Sequence, residues 1–164
     1  MTLQETIGSQ YHASLEMFKQ TVLKCPEALW DDGRHRNRTW LLAYHALFYT
    51  HLYLEPAEAD FTPWPGHRDN IHRMGSPEHQ SGTEAPYSQA EILAYVSYFQ
   101  GKIDEMVNAL DLASDQSGFH WLPFNKLELQ FYNIRHLQQH TGELSERLGQ
   151  EAGLDIDWVG MKRG

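Results

Sequence analysis

Apolar residues recur at three- and four-residue steps through four stretches of this chain, and no stretch alternates apolar with polar residues over a convincing strand length. That periodicity restricts the fold to amphipathic helices packed face to face. Leu3, Ile7, Tyr11, Leu15, Phe18 and Val22 form the first stripe, which opens on the T-x-x-E capping box Thr2-Leu3-Gln4-Glu5 and must stop before Pro26. The second stretch, about residues 39–55, is apolar nearly all round (WLLAYHALFYTHLYL), so it should be the most buried element, and Pro56 ends it. Ser88-Gln89-Ala90-Glu91 is a second capping box, and it opens one helix with the stripe Ile92, Tyr95, Val96, Phe99, Ile103, Met106, Val107 and Leu110. Asn125-Lys126-Leu127-Glu128 opens the last, whose stripe of Leu129, Tyr132, His136, His140, Leu144 and Leu148 fades at Gly149.

Four such stripes predict an all-α fold, a four-helix bundle with a long loop between helices two and three. That loop, residues 56–87, holds five of the seven prolines, and an irregular connection of this length usually has a function or covers something. The tail, residues 154–164, carries Trp158 and Val159 and is expected to dock back onto the bundle. The 164 residues suit one domain spanning 1–164.

Charge and cysteine usage narrow the function classes. The net charge of −9 repels phosphate backbones and anionic lipid, which argues against nucleic acid and membrane as partners. The most apolar run, residues 40–54, is interrupted by His45, Thr50 and His51 and falls short of the ~20 residues that span a bilayer. The single cysteine, Cys25, excludes an internal disulfide framework and a thiolate-rich zinc site. MTLQETIGSQ has neither the basic lead nor the apolar core of a signal peptide, so a cytoplasmic protein is expected.

Against one cysteine stand ten histidines. His136 and His140 are spaced i, i+4 on the apolar face of the last helix, so both rings can reach one point. Two buried imidazoles need partners, which neighbouring groups, water or a shared metal would provide. His45 sits midway along the most apolar helix and supplies a third inward imidazole. Three neutral imidazoles suit zinc, nickel or ferrous iron and leave coordination positions open, the pattern of a catalytic rather than a structural site.

Other chemistries lack their residues. Leu137 follows His136, so there is no H-E-x-x-H, and no E-x-x-H, G-x-S-x-G, phosphate-binding loop or G-x-G-x-x-G occurs. A hemerythrin-like iron-oxygen binder would draw histidines from helix three, where residues 89–111 have none.

The mid-helix histidine in Trp40-Leu41-Leu42-Ala43-Tyr44-His45-Ala46-Leu47-Phe48, with the late segment Arg135-His136-Leu137-Gln138-Gln139-His140-Thr141-Gly142-Glu143-Leu144, resembles the DinB-like four-helix metal-binding family. The resemblance covers nearly the whole chain. It implies a divalent transition metal, nickel or zinc with iron as an alternative, held by His45, His136 and His140. It also implies a metal-dependent enzyme acting on a small molecule, either a hydrolase or a transferase using a low-molecular-weight thiol, and by analogy a homodimer. A catalytically silent metal-binding or interaction protein of the same fold is the other expectation.

Several further residues have two expected roles. Asn133 and Glu143, about one turn from the late histidines, either orient a ligand or serve as surface and capping groups. Tyr49 points its hydroxyl into the site or joins the core. Phe61, Trp64 and Trp121 wall a substrate pocket or plug the bundle end. Arg34, Arg36 and Arg38 recruit an anion or form a solvated loop. His51, about 120° round the helix from His45, is expected near Glu55 and outside the site; His12 is expected to pair with Glu16 on a solvated face. His67, His72, His79 and His120 fall in loops.

Overall fold

A computed structural model describes residues 1–74 and 85–162; His79 lies outside the described residues. Within them the protein is all-helical, with six α-helices, one 3-10 turn at Glu58–Asp60 and no strand. Helix α1 spans Leu3–Lys24 and begins at the expected capping box, the Thr2 side chain accepting from the Glu5 backbone at 3.1 Å while Glu5 accepts from the Thr2 backbone at 2.6 Å. Pro26 is followed by a single-turn helix, α2 (Glu27–Trp30), too short for any periodic signal. Its Trp30 indole donates to the Tyr87 carbonyl at 2.6 Å, fastening it beneath the far end of the long connection.

Helix α3 spans Thr39–Leu52, three residues shorter at its end than the apolar pattern suggests. Ahead of Pro56 the backbone tightens, with Leu54 bonding to the His51 carbonyl and Glu55 to the Leu52 carbonyl, each three residues back. Twelve of its fourteen residues are buried; the two that are not, His45 and Tyr49, share one face a turn apart. The single helix expected from Ser88 to Leu110 is instead two, α4 (Gln89–Gln100) and α5 (Ile103–Ala109). They part at Gly101-Lys102, where glycine weakens the helix and Lys102 bonds three residues back to Phe99 at 2.9 Å. The apolar stripe crosses the break, since Ile103 and Val107 stay buried. Helix α6 (Lys126–Ala152) runs past Gly149 and stops at Gly153, whose φ of 65° is the left-handed turn that ends helices cheaply only with glycine.

Helix α1 packs on α6, α4 and α5, while α3 packs on α6 and α4. Between them lie fully buried Tyr11, Leu15, Phe18, Tyr44, Leu47, Tyr95, Phe99 and Leu137. Each such large apolar side chain favours the folded state by about 1.5–3 kcal/mol. No helix among the described residues is long and apolar enough to cross a membrane. The tail docks along α1 as expected, with Lys24 donating to the Asp155 carbonyl at 2.7 Å and Asp157 N–H to the Gln20 side chain at 2.8 Å. It docks through backbone and Ile156 rather than through Trp158, which is 77% exposed. His12 does not pair with Glu16; its Nε2 meets Asp104 at 2.9 Å, because α5 lies across that face of α1.

The start of the long connection is clamped from α6. The Lys126 ammonium is folded inward and donates to the carbonyls of Pro56 (2.6 Å) and Ser117. Gly118 makes this possible: its φ is 90°, and a Cβ there would lie 2.2 Å from the Pro56 oxygen.

Of the two roles expected for Asn133, ligand-orienting or capping, it takes the capping one. Its carboxamide is buried on α6 and donates to the Thr50 carbonyl at 3.0 Å. Of the last four residues of α3, Tyr49, His51 and Leu52 have carbonyls that accept from Tyr53, Leu54 and Glu55, which leaves the Thr50 carbonyl to Asn133. Replacing Asn133 by Ala should therefore lower stability by about 1–3 kcal/mol, the cost of leaving that buried carbonyl unpaired. Urea unfolding of the two proteins followed by circular dichroism measures the difference.

Candidate metal centre

The packing of α3 on α6 brings three imidazoles together. The i, i+4 spacing of His136 and His140 places their rings one turn apart on α6, nearly perpendicular, with centroids 4.6 Å apart. His45 reaches them from the middle of α3, its ring centroid 5.3 Å from that of His136 and 5.0 Å from that of His140. The Nε2 atom of His136 lies 3.3 Å from that of His45 and 3.1 Å from that of His140. One ring nitrogen from each residue falls within 4.8 Å of the other two, and the three could hold a metal ion.

The other ring nitrogens fix which atoms carry protons. His45 Nδ1 lies 2.7 Å from the carbonyl oxygen of His72, and His140 Nδ1 lies 2.8 Å from a carboxylate oxygen of Glu143. Both partners only accept, so both Nδ1 atoms donate and both Nε2 atoms are turned to the centre. Burial holds His45 and His136 neutral, lowering their pKa values from 6.5 to about 4 and about 3. His136 Nδ1 is buried without a hydrogen-bond partner, and its Nε2 faces those of the other two rings. A bound cation would engage all three Nε2 atoms at once. Nitrogens bound at ~2.0–2.1 Å around a tetrahedral zinc stand roughly 3.3 Å apart, close to the spacings of 3.1 and 3.3 Å that His136 already makes. The donor set and its spacing fit a divalent transition metal.

His140 is shut behind the other two, while His45 and His136 line one wall of a cleft of about 710 Å³. Phe48, Phe61, Trp121 and Tyr132 supply much of its aromatic lining; Glu58 and Arg73 are its charged residues. Tyr49 also faces the cleft, its ring 4.7 Å from that of His45, and burial raises its phenol pKa. Of the aromatic residues expected near the site, Phe61 and Trp121 wall the cleft, whereas Trp64 stacks on Tyr95 at 4.9 Å and plugs the core beside it. Glu143 takes the orienting role rather than a plain surface one. Arg34 is paired with Asp32 (2.5 Å) and Glu151 (2.9 Å), and Arg38 with Asp31 (3.2 Å).

His51 stays outside the site, as its helical angle requires. It is 1% exposed, bonds to the Tyr95 hydroxyl at 3.0 Å and sits 4.0 Å from Glu55. His67, His72 and His120 lie in loops. The parts with no sequence signal are the His72 carbonyl and the cleft residues Glu58 and Arg73. Every residue carries a carbonyl, and which loop side chains face a cleft depends on how the connection folds back. Comparison with models of known protein families, with curated proteins and with solved structures finds no match for this chain.

Burial lowers His51 to about 4 as well, so three histidines are harder to protonate folded than unfolded. Between the ordinary value of 6.5 and about 4 the unfolded chain binds more protons, so stability falls as pH drops through that window and is fully present above it. Chelator-treated protein should therefore be less stable to urea at pH 4.5 than at pH 7.5, and His51→Phe should show a smaller drop. Equal drops in the two proteins would remove His51 from that account.

Proposed function

We propose that this chain is a DinB-like four-helix-bundle protein that holds a divalent transition metal, nickel or zinc before iron, on His45, His136 and His140. It acts as a metal-dependent enzyme on a small molecule, as a hydrolase or a thiol-dependent transferase in the cytoplasm. The observation that carries this reading is the convergence of three imidazoles, two of them held neutral by burial and lining a cleft. Supporting the bundle is a closed ring of helix contacts, α1 to α6, α6 to α3, α3 to α4 and α4 back to α1, with α5 continuing α4.

A metal bound there supplies Lewis acidity, which draws the ionisation of a coordinated water or thiol toward neutral pH. The residues of the chain then divide the remaining work. His72 O and Glu143 hold the rings of His45 and His140 with Nε2 toward the centre. Phe61, Trp121 and Tyr132 give a small organic molecule an apolar bed and displace water from it. Arg73 lies close enough to Tyr49 to favour its phenolate, which makes it the positive group of the cleft. A volume of about 710 Å³ sits within the ~300–1,000 Å³ range of small-molecule sites.

Elemental analysis decides the first step. Wild-type protein incubated with nickel, zinc or iron salts and then desalted should retain one equivalent of a transition metal, and His140→Ala should retain none. Wild type that stays metal-free would sink the proposal. Loaded wild type screened against ester, amide and thiol-transfer substrates should show an activity that His45→Ala abolishes.

A further inference from the structure

The orientation of His45 depends on a segment 27 residues further along the chain. His72, whose carbonyl accepts from His45 Nδ1, ends a turn in which Asn70 adopts a left-handed φ of 64° and Ile71 is buried. The carbonyl reaches His45 only while that turn is docked on α3. The docking contacts are rings. The His72 imidazole lies flat on Phe48, with centroids 4.0 Å apart and planes 12° from parallel. The His67 imidazole is also near-parallel to Phe48, at 5.3 Å and 27°, and its Nδ1 shares a hydrogen bond with the Tyr44 hydroxyl. Thus Tyr44 and Phe48 grip the segment, while His45 and Tyr49, each next in sequence, face the cleft.

We propose that Phe48 and the His72 ring are positioning residues, stacking so as to hold the His72 carbonyl against His45 Nδ1–H and thereby coupling the docking of residues 67–72 to metal affinity. This deepens the metal-site reading above and rests on it. The His72 ring acts by its flat contact, not as a fourth ligand. A carbonyl or carboxylate that fixes a ligating imidazole typically contributes about 10–100-fold to metal affinity. Coupling is reciprocal, so a bound metal holds the turn down and a docked turn tightens the metal. His72 and Arg73 also line the cleft, so a cleft occupant that presses the turn onto α3 strengthens the metal site.

The test uses the full chain with zinc and with nickel alone, read by competition against a chromophoric chelator and by amide hydrogen exchange across residues 67–73. His72→Phe keeps both ring and carbonyl and should bind metal as wild type does. His72→Ala keeps the carbonyl without the ring, and Phe48→Leu keeps the volume without a flat face; both should bind about 10–100-fold more weakly. In chelator-treated protein both should exchange faster over residues 67–73 than wild type and His72→Phe. Loss of metal in His72→Phe would make the ring nitrogen a ligand and overturn the proposal. Retained affinity in His72→Ala or Phe48→Leu would overturn it too. Should wild type take up no metal, the proposed function fails while the metal-free exchange comparison still decides whether the stack holds the turn.

Discussion

Three imidazoles meet in the α3–α6 interface with Nε2 facing Nε2. The Nδ1 protons of His45 and His140 are committed outward to a carbonyl and a carboxylate, and the Nε2 of His136 faces both of the others. In water such a cluster would protonate or separate. Here burial resists the first, and the packing of buried Leu137 and Leu144 beside them on α6 resists the second. A packed interface that holds three ring nitrogens face to face has already met much of the ordering cost of binding a cation.

The rest of the molecule can be understood as holding that interface in register. Asn133 ties α6 to the end of α3, and Arg147 donates to the Asn37 carbonyl and the Thr39 hydroxyl at its beginning, both at 3.0 Å. His45 lies between these two fastenings, so neither slip nor rotation of α3 is free. The apolar character of α3 has the same consequence. A helix buried on nearly every side cannot turn to solvent, and its two half-buried residues, His45 and Tyr49, are those that face the cleft.

Four helical stretches, the capped starts at Thr2, Ser88 and Asn125, and the three histidines were legible in the sequence because each is a local signal. Thr2 and Ser88 cap three residues ahead, and i, i+4 spacing on an apolar face fixes where His136 and His140 point. What the sequence hid is non-local or chemically silent. Gly101 and Lys102 are compatible with helix, so the break between α4 and α5 leaves the stripe intact. His12 has a plausible partner four residues on, but α5 brings a better one. That Asn133 caps rather than orients a ligand is decided by a Thr50 carbonyl that needs it only because α3 ends at Leu52. The His72 carbonyl is the extreme case, a backbone atom that no residue type announces.

Residues 56–74, the part of the long connection nearest α3, are fixed around the cleft at successive places. Lys126 holds its start, Gly66 accepts from the Tyr87 hydroxyl at 2.9 Å, and a Cβ at Gly66 would strike the Trp64 ring at 2.2 Å. Phe48 and Tyr44 hold the stretch that follows. A loop needed only to join two helices would gain nothing from so many fixed points, since lengthening a free loop costs little. Their common effect is to set a cleft wall and a metal ligand's hydrogen-bond partner from one segment, so anything that reshapes the wall also acts on His45.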